Sequence, residues 1–467
     1  MKRTLSLAIV TVMMTACVPT PVRVICDSSG SEADAPADKT VAINLYVDGT
    51  PSMRGYVNKS ESRYSQTLET LLSVLQLEPM TFDGGNRTQS RPIEYFRLGK
   101  NGDTGKAAQK ISREDYRLAQ LPQFYGGEAR FPSLAVSQID AAIQPPDEGN
   151  ELTVIVTDLY QEKEDAGKIA DAMQTYLKRT QKSGAVGVLG IRSEFNGTVY
   201  TEGQSGASSF EYNSRGNPDR PFYVLLVGNL EDVHYYMDSL INRLDFGKEV
   251  QANLFSPYRI YKTSAQLQRK NQSDLTSAER QWVSSPDKGM RYHRLAIRLD
   301  NPAVQPLILR TKRDPIQLEF QATITPISLV LAPDKKAFTT TITPMTAPSG
   351  AQKEFQAAQN NPGLQQVLKL SDWKSDAAQL SFAAEIQPDK LRSGIYLFEA
   401  TTILNTAGDP LPIPDWWGKW NSLPTSEDGK KTNDLKLFMS DLSARTIALM
   451  RQEPPLVGRF CYLIQRD

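Results

Sequence analysis

The sequence predicts a mixed chain: an α/β domain whose mainly parallel sheet is covered by helices on both faces, then an antiparallel β-sandwich. Two patterns carry that expectation. Through about residue 247, short apolar runs alternate with stripes at helical spacing, as in strand–helix–strand units. Beyond it, apolar residues recur at every second position between connections bearing Pro and Gly. The length of 467 residues agrees, because a single core rarely grows past about 250–300 residues.

The first strand is the run from Val41 to Val47, which ends abruptly in Asp48-Gly49-Thr50-Pro51-Ser52. A buried parallel strand reads as such a run, and open α/β sheets place ligands at its carboxyl end. Tyr64, Leu68, Leu71, Leu72 and Leu75 then mark a helix, with Pro79 beyond it. Ile93 to Leu98 is a strand, and Asn101-Gly102-Asp103 opens an irregular stretch. A helix is expected from Pro132, carrying Ala135, Ile139, Ala142 and Ile143 on one face and stopping at Pro145-Pro146.

Leu152 to Thr157 forms a second buried run ending in a carboxylate, Asp158. Ile169, Met173, Tyr176 and Leu177 follow as a helix, and Ala185 to Ile191 as a strand. Ser193 to Asp219 reads as a long loop or small hairpin inserted in the domain. Phe222 to Val227 is the next strand, and Val233, Tyr236, Met237, Leu240, Ile241 and Leu244 the next helix.

Alternation then takes over at Leu295–Leu299, Leu318–Ile324, Phe338–Ile342, Leu380–Ile386 and Tyr396–Ala400. Polar stretches at Gln266–Lys288 and Ala351–Lys369 are places for short helices. In the tail, Trp416, Trp417 and Trp420 either form an exposed anchor for a partner or pin the tail to the sandwich. An amphipathic helix with Leu435, Phe438, Leu442, Thr446 and Leu449 on one side leaves Arg445 and Arg451 facing outward. The expected organisation is therefore 1–17 leader, 18–39 flexible tether, 40–247 α/β domain, 248–412 sandwich and 413–467 Trp-rich tail with its helix.

Composition removes one class of partner. Fifty-three basic and 53 acidic residues give no net charge, so no basic field attracts nucleic acid. The start of the chain points to a membrane. Lys2-Arg3 precedes an apolar segment from Leu5 to Met14 that is too short for a stable span. Met14-Thr15-Ala16-Cys17 resembles the lipobox of bacterial lipoproteins, whose cysteine is lipidated. Val18 after it, by the same resemblance, implies the outer membrane, facing the periplasm. A plain secretory signal is the alternative. With Cys17 acylated, Cys26 and Cys461 remain as an even pair in an oxidising cell envelope, either bonded to each other or as free thiols.

Asp48-x-Thr50-x-Ser52 gathers three hard oxygen groups suited to Mg²⁺ or Mn²⁺. Together with Asp158, these residues resemble the von Willebrand factor A domain and its metal-ion-dependent adhesion site, over about Thr40 to Gly247. The resemblance implies a metal held by Asp48, Thr50, Ser52, a hydroxyl from an intervening loop, and Asp158. Ser133 is the candidate for that hydroxyl, in place of the family's Thr. It further implies a protein partner whose Asp or Glu completes the metal shell. A metal-free structural component of an assembly is the alternative. Phosphatases of the haloacid dehalogenase type begin Asp-x-Asp-Gly-Thr, but Tyr46 stands where their nucleophile would be, so an enzyme is not expected. His234 and His293 fall in different elements and offer no zinc site.

Overall fold

The computed structural model describes residues 22–24, 26 and 41–466, except 60, 78–91, 101–104, 146–150, 161–164, 181–182, 204–205, 270–289, 293–294, 299–303, 310–314, 334–336, 348–353, 359–360, 377–378, 406–409 and 424. Cys17, Pro79 and Asn101-Gly102-Asp103 lie outside the described residues.

Strand β1 (Val22–Arg23) is followed by β2 (Ala42–Asp48), α1 (Arg63–Leu75), β3 (Ile93–Leu98), β4 (Ala108–Ile111), α2 (Arg113–Arg117), α3 (Ile139–Ala142) and β5 (Glu151–Thr157). Next come α4 (Asp165–Arg179), β6 (Gly184–Ser193), β7 (Asn196–Gly203), β8 (Gly206–Asn213), β9 (Arg220–Asn229), α5 (Leu230–Leu244) and β10 (Val250–Phe255). Seven of these strands form one sheet in the order β10-β6-β9-β5-β2-β3-β4.

The sheet is mixed, which corrects the mainly parallel expectation. Only β3, β2 and β5 run parallel, while β4, β9, β6 and β10 join through antiparallel pairs. The cause is the connection between β6 and β9. A parallel neighbour needs a long crossover, usually a helix. Between β6 and β9 the chain forms only the β7–β8 hairpin, so β9 returns beside β6 and pairs antiparallel to it.

Helices do cover both faces. On one side Leu152, Val154, Val156, Val224 and Leu226 pack against the apolar stripes of α1 and α5. On the other, Ile155, Val186, Val188, Leu225 and Val227 pack against Ile169, Met173 and Leu177 of α4. Each such side chain taken wholly from water contributes about 1.5–3 kcal/mol. Ser62 caps α1 by accepting from the Ser65 backbone N–H.

The rest of the chain supplies β11 (Tyr261–Arg269), β12 (Met290–Tyr292), β13 (Leu295–Arg298), β14 (Val304–Leu309), β15 (Ile316–Pro326), β16 (Ala337–Thr346), β17 (Gln356–Ala357), α6 (Pro362–Gln365), β18 (Leu368–Ser375), β19 (Gln379–Ile386) and β20 (Gly394–Asn405). The last elements are α7 (Asp415–Lys419), β21 (Asn421–Ser422), β22 (Thr432–Asn433), α8 (Leu435–Gln452) and β23 (Leu456–Arg466). A sheet ordered β11-β15-β19-β18 faces one ordered β14-β23-β20-β16-β17. Phe320 and Phe382 of the first meet Tyr462 and Phe460 of the second at 5.5 Å and 5.2 Å. Every pair but β14–β23 is antiparallel, as the period-two pattern predicts. Of the two stretches offered for short helices, Ala351–Lys369 holds α6, and most of Gln266–Lys288 lies outside the described residues.

Three expectations about the ends need correction. The segment 18–39 is not a free tether throughout: β1 pairs with β13, Val24 is buried, and Cys26 is bonded to Cys461 on β23. Trp416, Trp417 and Trp420 are buried, so of the two readings the exposed anchor does not hold. They pin the tail to the edge of the seven-stranded sheet, not to the sandwich. Asn253 Oδ1 on β10 accepts from both Trp416 Nε1 (2.9 Å) and Trp417 Nε1 (2.8 Å), and Trp420 stacks under Arg192 of β6. Finally, Arg445 does not face outward freely; it joins Asp441 to Asp171 and Gln174 of α4.

Candidate metal centre

Parallel pairing brings the centre together. Val47 lies beside Val156 and Asp48 beside Leu98, so the carboxyl ends of β3, β2 and β5 end at one level. Asp48 therefore stands next to Thr157-Asp158, from residues more than a hundred positions apart. Gly49 extends the ladder by one bond, N–H to Leu98 O at 2.8 Å. It must be glycine, because the Arg97 side chain lies 2.6 Å from where a Cβ would stand. Pro51 then opens a 3₁₀ turn to Tyr56, which lifts Thr50 and Ser52 onto the same side as Asp158.

Asp48, Thr50, Ser52 and Asp158 are all buried. Thr50 donates to Asp48 Oδ1 through its hydroxyl (2.7 Å) and its backbone N–H (3.1 Å). Ser52 Oγ donates to Asp158 Oδ1 at 3.2 Å, and Tyr160 N–H donates to the same oxygen at 3.0 Å. Thr157 Oγ1 donates to Asp48 Oδ2 at 2.8 Å. With their protons given to carboxylates, the Thr50 and Ser52 oxygens keep lone pairs for a cation.

The geometry fits a small hard ion. Thr50 Oγ1 and Ser52 Oγ are 3.1 Å apart. Two adjacent ligands of an octahedron with Mg–O bonds of about 2.1 Å stand about 3.0 Å apart. The electrostatics agree. Burial, then the charge of Asp158, pushes the Asp48 carboxyl up to about 6. Burial raises Asp158 as well, and Arg220 opposes that rise. Two desolvated carboxylates facing each other are costly, and a divalent cation between them removes that cost. No hydrogen-bond donor reaches Asp158 Oδ2. Among the described residues no three His, Cys, Asp or Glu gather, so a metal here must use hydroxyls.

The intervening-loop hydroxyl is not where the sequence suggested. The helix expected from Pro132 begins only at Ile139 and spans four residues. Ser133 is exposed, its Oγ 2.6 Å from where a Cβ of Gly126 would stand. Residues 135 and 136 instead bond to Lys100 beyond β3: Ala135 N–H to Lys100 O at 3.1 Å and Lys100 N–H to Val136 O at 2.8 Å. That bridge delivers Ser137 to the centre. Ser137 is 4% exposed, and its Oγ has no hydrogen-bond partner. It lines a cavity of about 80 Å³ together with Thr50, Pro51 and Ser52. No local pattern in the sequence marks it.

Sequence reasoning also missed Thr157 and two arginines. Arg97 is wholly buried in β3. Its Nη2 donates to Gly49 O (3.1 Å), its Nε donates to Phe124 O (2.9 Å), and its guanidinium lies over the Phe124 and Phe131 rings. Burial lowers it to about 10, so it stays charged at neutral pH. Arg220 Nη2 is 3.8 Å from Asp158 Oδ2, while its Nη1 donates to Gly429 O at 3.0 Å. An arginine set between apolar residues of a strand, as in Tyr95-Phe96-Arg97-Leu98, was the available clue. No protein-family model matches the sequence, and comparison with curated proteins gave no match.

Proposed function

We propose that the chain is an envelope protein that binds a partner protein through a divalent ion, Mg²⁺ or Mn²⁺, held by a von Willebrand factor A-like domain. One observation carries the reading: two buried strand-end carboxylates each accept a hydrogen bond from a hydroxyl, Thr50 or Ser52, beside the unpartnered Ser137 Oγ. Thr50, Ser52 and Ser137 would hold the ion directly, with Asp48 and Asp158 behind them through hydrogen bonds. Neutral hydroxyl ligands leave most of the ion's charge uncompensated, so an Asp or Glu from outside can complete the shell. Asp48, Thr157 and Arg97 keep the loop in place. The lipobox-like Met14–Cys17 supports a lipid anchor, placing the protein at the outer membrane toward the periplasm.

Thermal unfolding tests the ion. With Mg²⁺ at a hundredfold excess over its dissociation constant, the protein should gain about 2.7 kcal/mol over the EDTA-treated form, and Asp48→Ala should gain nothing. An equal gain in the variant would sink the proposal. A second reading has its own support. Arg220 already places a buried cation against Asp158, as a metal-free structural component would require. That reading expects no divalent-ion response at all.

A further inference from the structure

The hairpin β7–β8, inserted before the last central strand, is built into the centre. Phe195 at its foot meets the Tyr56 ring edge-on at 4.8 Å, and Asn58 Nδ2 donates to Asn196 O at 2.7 Å. A Cβ on Gly197 would stand 3.0 Å from Gly55 Cα, so the two backbones touch. Tyr56 and Gly55 belong to the same 3₁₀ turn that carries Ser52. The hairpin is thus fixed to the loop that presents the hydroxyls. Its Tyr200 lies 5.7 Å from Tyr160, whose N–H holds Asp158, and both rings line the cavity above Thr50 and Ser52.

We propose that Tyr200 is a specificity-determining residue: with Tyr160 it narrows the mouth so that one carboxylate on a slender aliphatic stem enters, and phosphate or a branched acid does not. The inference rests on the divalent-ion reading above. The cavity of about 80 Å³ has no basic residue in its lining. One buried water needs about 10–15 Å³, so the space suits an ion and a single acid group on a short stem. Phosphate carries about two charges and three acceptor oxygens, and those that the ion does not meet ask for further cationic partners. Pro51, Ala135, Val136 and the two rings offer none; they suit a stem of methylene groups. The partner's group is accordingly a projecting acidic side chain rather than a phosphorylated one.

The test uses the full chain saturated with Mg²⁺ and titrated with propionate, pivalate and inorganic phosphate. Propionate should bind, with pivalate weaker by about tenfold or more and phosphate not detected, a selectivity set by the ring wall. Tyr200→Ala should erase the propionate–pivalate difference, and Tyr200→Phe should keep it. Phosphate binding as tight as propionate, or discrimination unchanged in Tyr200→Ala, overturns the inference while the Mg²⁺ response stands. No Mg²⁺ response in the parent protein overturns the divalent-ion reading itself, and this inference with it.

Discussion

At Asp48 two demands oppose each other. A carboxylate that must meet a cation is kept in a buried place where, without the cation, its charge is penalised. Its ordinary value of 3.8 rises to about 6, chiefly through burial and then through Asp158. The folded state therefore binds the proton more tightly than the unfolded chain does. Metal-free stability should fall as pH rises from about 4 to about 6, and the full penalty remains above that. Asp48→Asn removes the charge and keeps the shape. In EDTA at about pH 8 the variant should exceed the parent by about 2 kcal/mol, and at about pH 5 by much less. With excess Mg²⁺ the order should reverse, because only the parent gains the roughly 2.7 kcal/mol of ion binding. Urea unfolding at both pH values, with and without the ion, measures all four differences. A variant less stable than the parent in EDTA at about pH 8 would show that the hydrogen bonds Asp48 accepts from Thr50 and Thr157 outweigh the cost of its buried charge. Residue chemistry of this kind was legible in the sequence for Asp48, Thr50, Ser52 and Asp158, because strand ends are marked where apolar runs stop. Ser137 was not, because its position depends on a bridge between residue 100 and residues 135–136 that no local pattern announces.

Elements were legible where burial imposes a period. The helices α1, α4, α5 and α8 and the strands β2, β3, β5, β6, β9, β15 and β19 stand where the apolar spacing put them. Strand β4 was missed because Ala108–Ile111 is a four-residue edge strand without alternation. Direction was not legible either: the run Phe222 to Val227 reads the same upward or downward, and it is decided by the β7–β8 connection, which forms a hairpin in place of a crossover. The tryptophan tail was open between two readings because aromatic residues serve both cores and interfaces. Its docking now gives a sharp expectation. Asn253 Oδ1 accepts both indole N–H groups, so Asn253→Ala orphans two buried donors at once. The cost of a buried unsatisfied group is about 1–3 kcal/mol. Asn253→Ala should therefore lose roughly 2–4 kcal/mol in urea unfolding, with α7 loosened and tryptophan emission shifted to the red. A loss below about 1 kcal/mol would mean that other groups take over the two donors.

Across the whole molecule, the Cys26–Cys461 bond joins the two ends of the described chain over 435 positions of sequence. It holds the amino-terminal segment to β23, in the interior of the five-stranded sheet, with Val24, Ile395 and Leu463 packed around it. This arrangement changes what the amino-terminal region can do. If Cys17 bears lipid, only residues 18–21 separate the anchor from β1, no more than about 18 Å of extended chain. The sandwich would then sit against the bilayer, and residues 27–40 would link it to the α/β domain instead of spacing the protein from the membrane. The membrane connection would also run through two covalent routes: the peptide chain through residues 27–40, and the disulfide to Cys461. A protease site placed within residues 27–40 separates them. Cleaved under oxidising conditions, the lipidated protein should stay with the membrane, held by the Cys26–Cys461 bond. Adding a reductant should release the body, while β1–β13 pairing, with only two residue pairs, should be too weak to retain it. Release without a reductant would refute the bond in the mature protein. Retention of an uncleaved Cys17→Ser protein on the membrane would refute lipidation at that residue as the anchor.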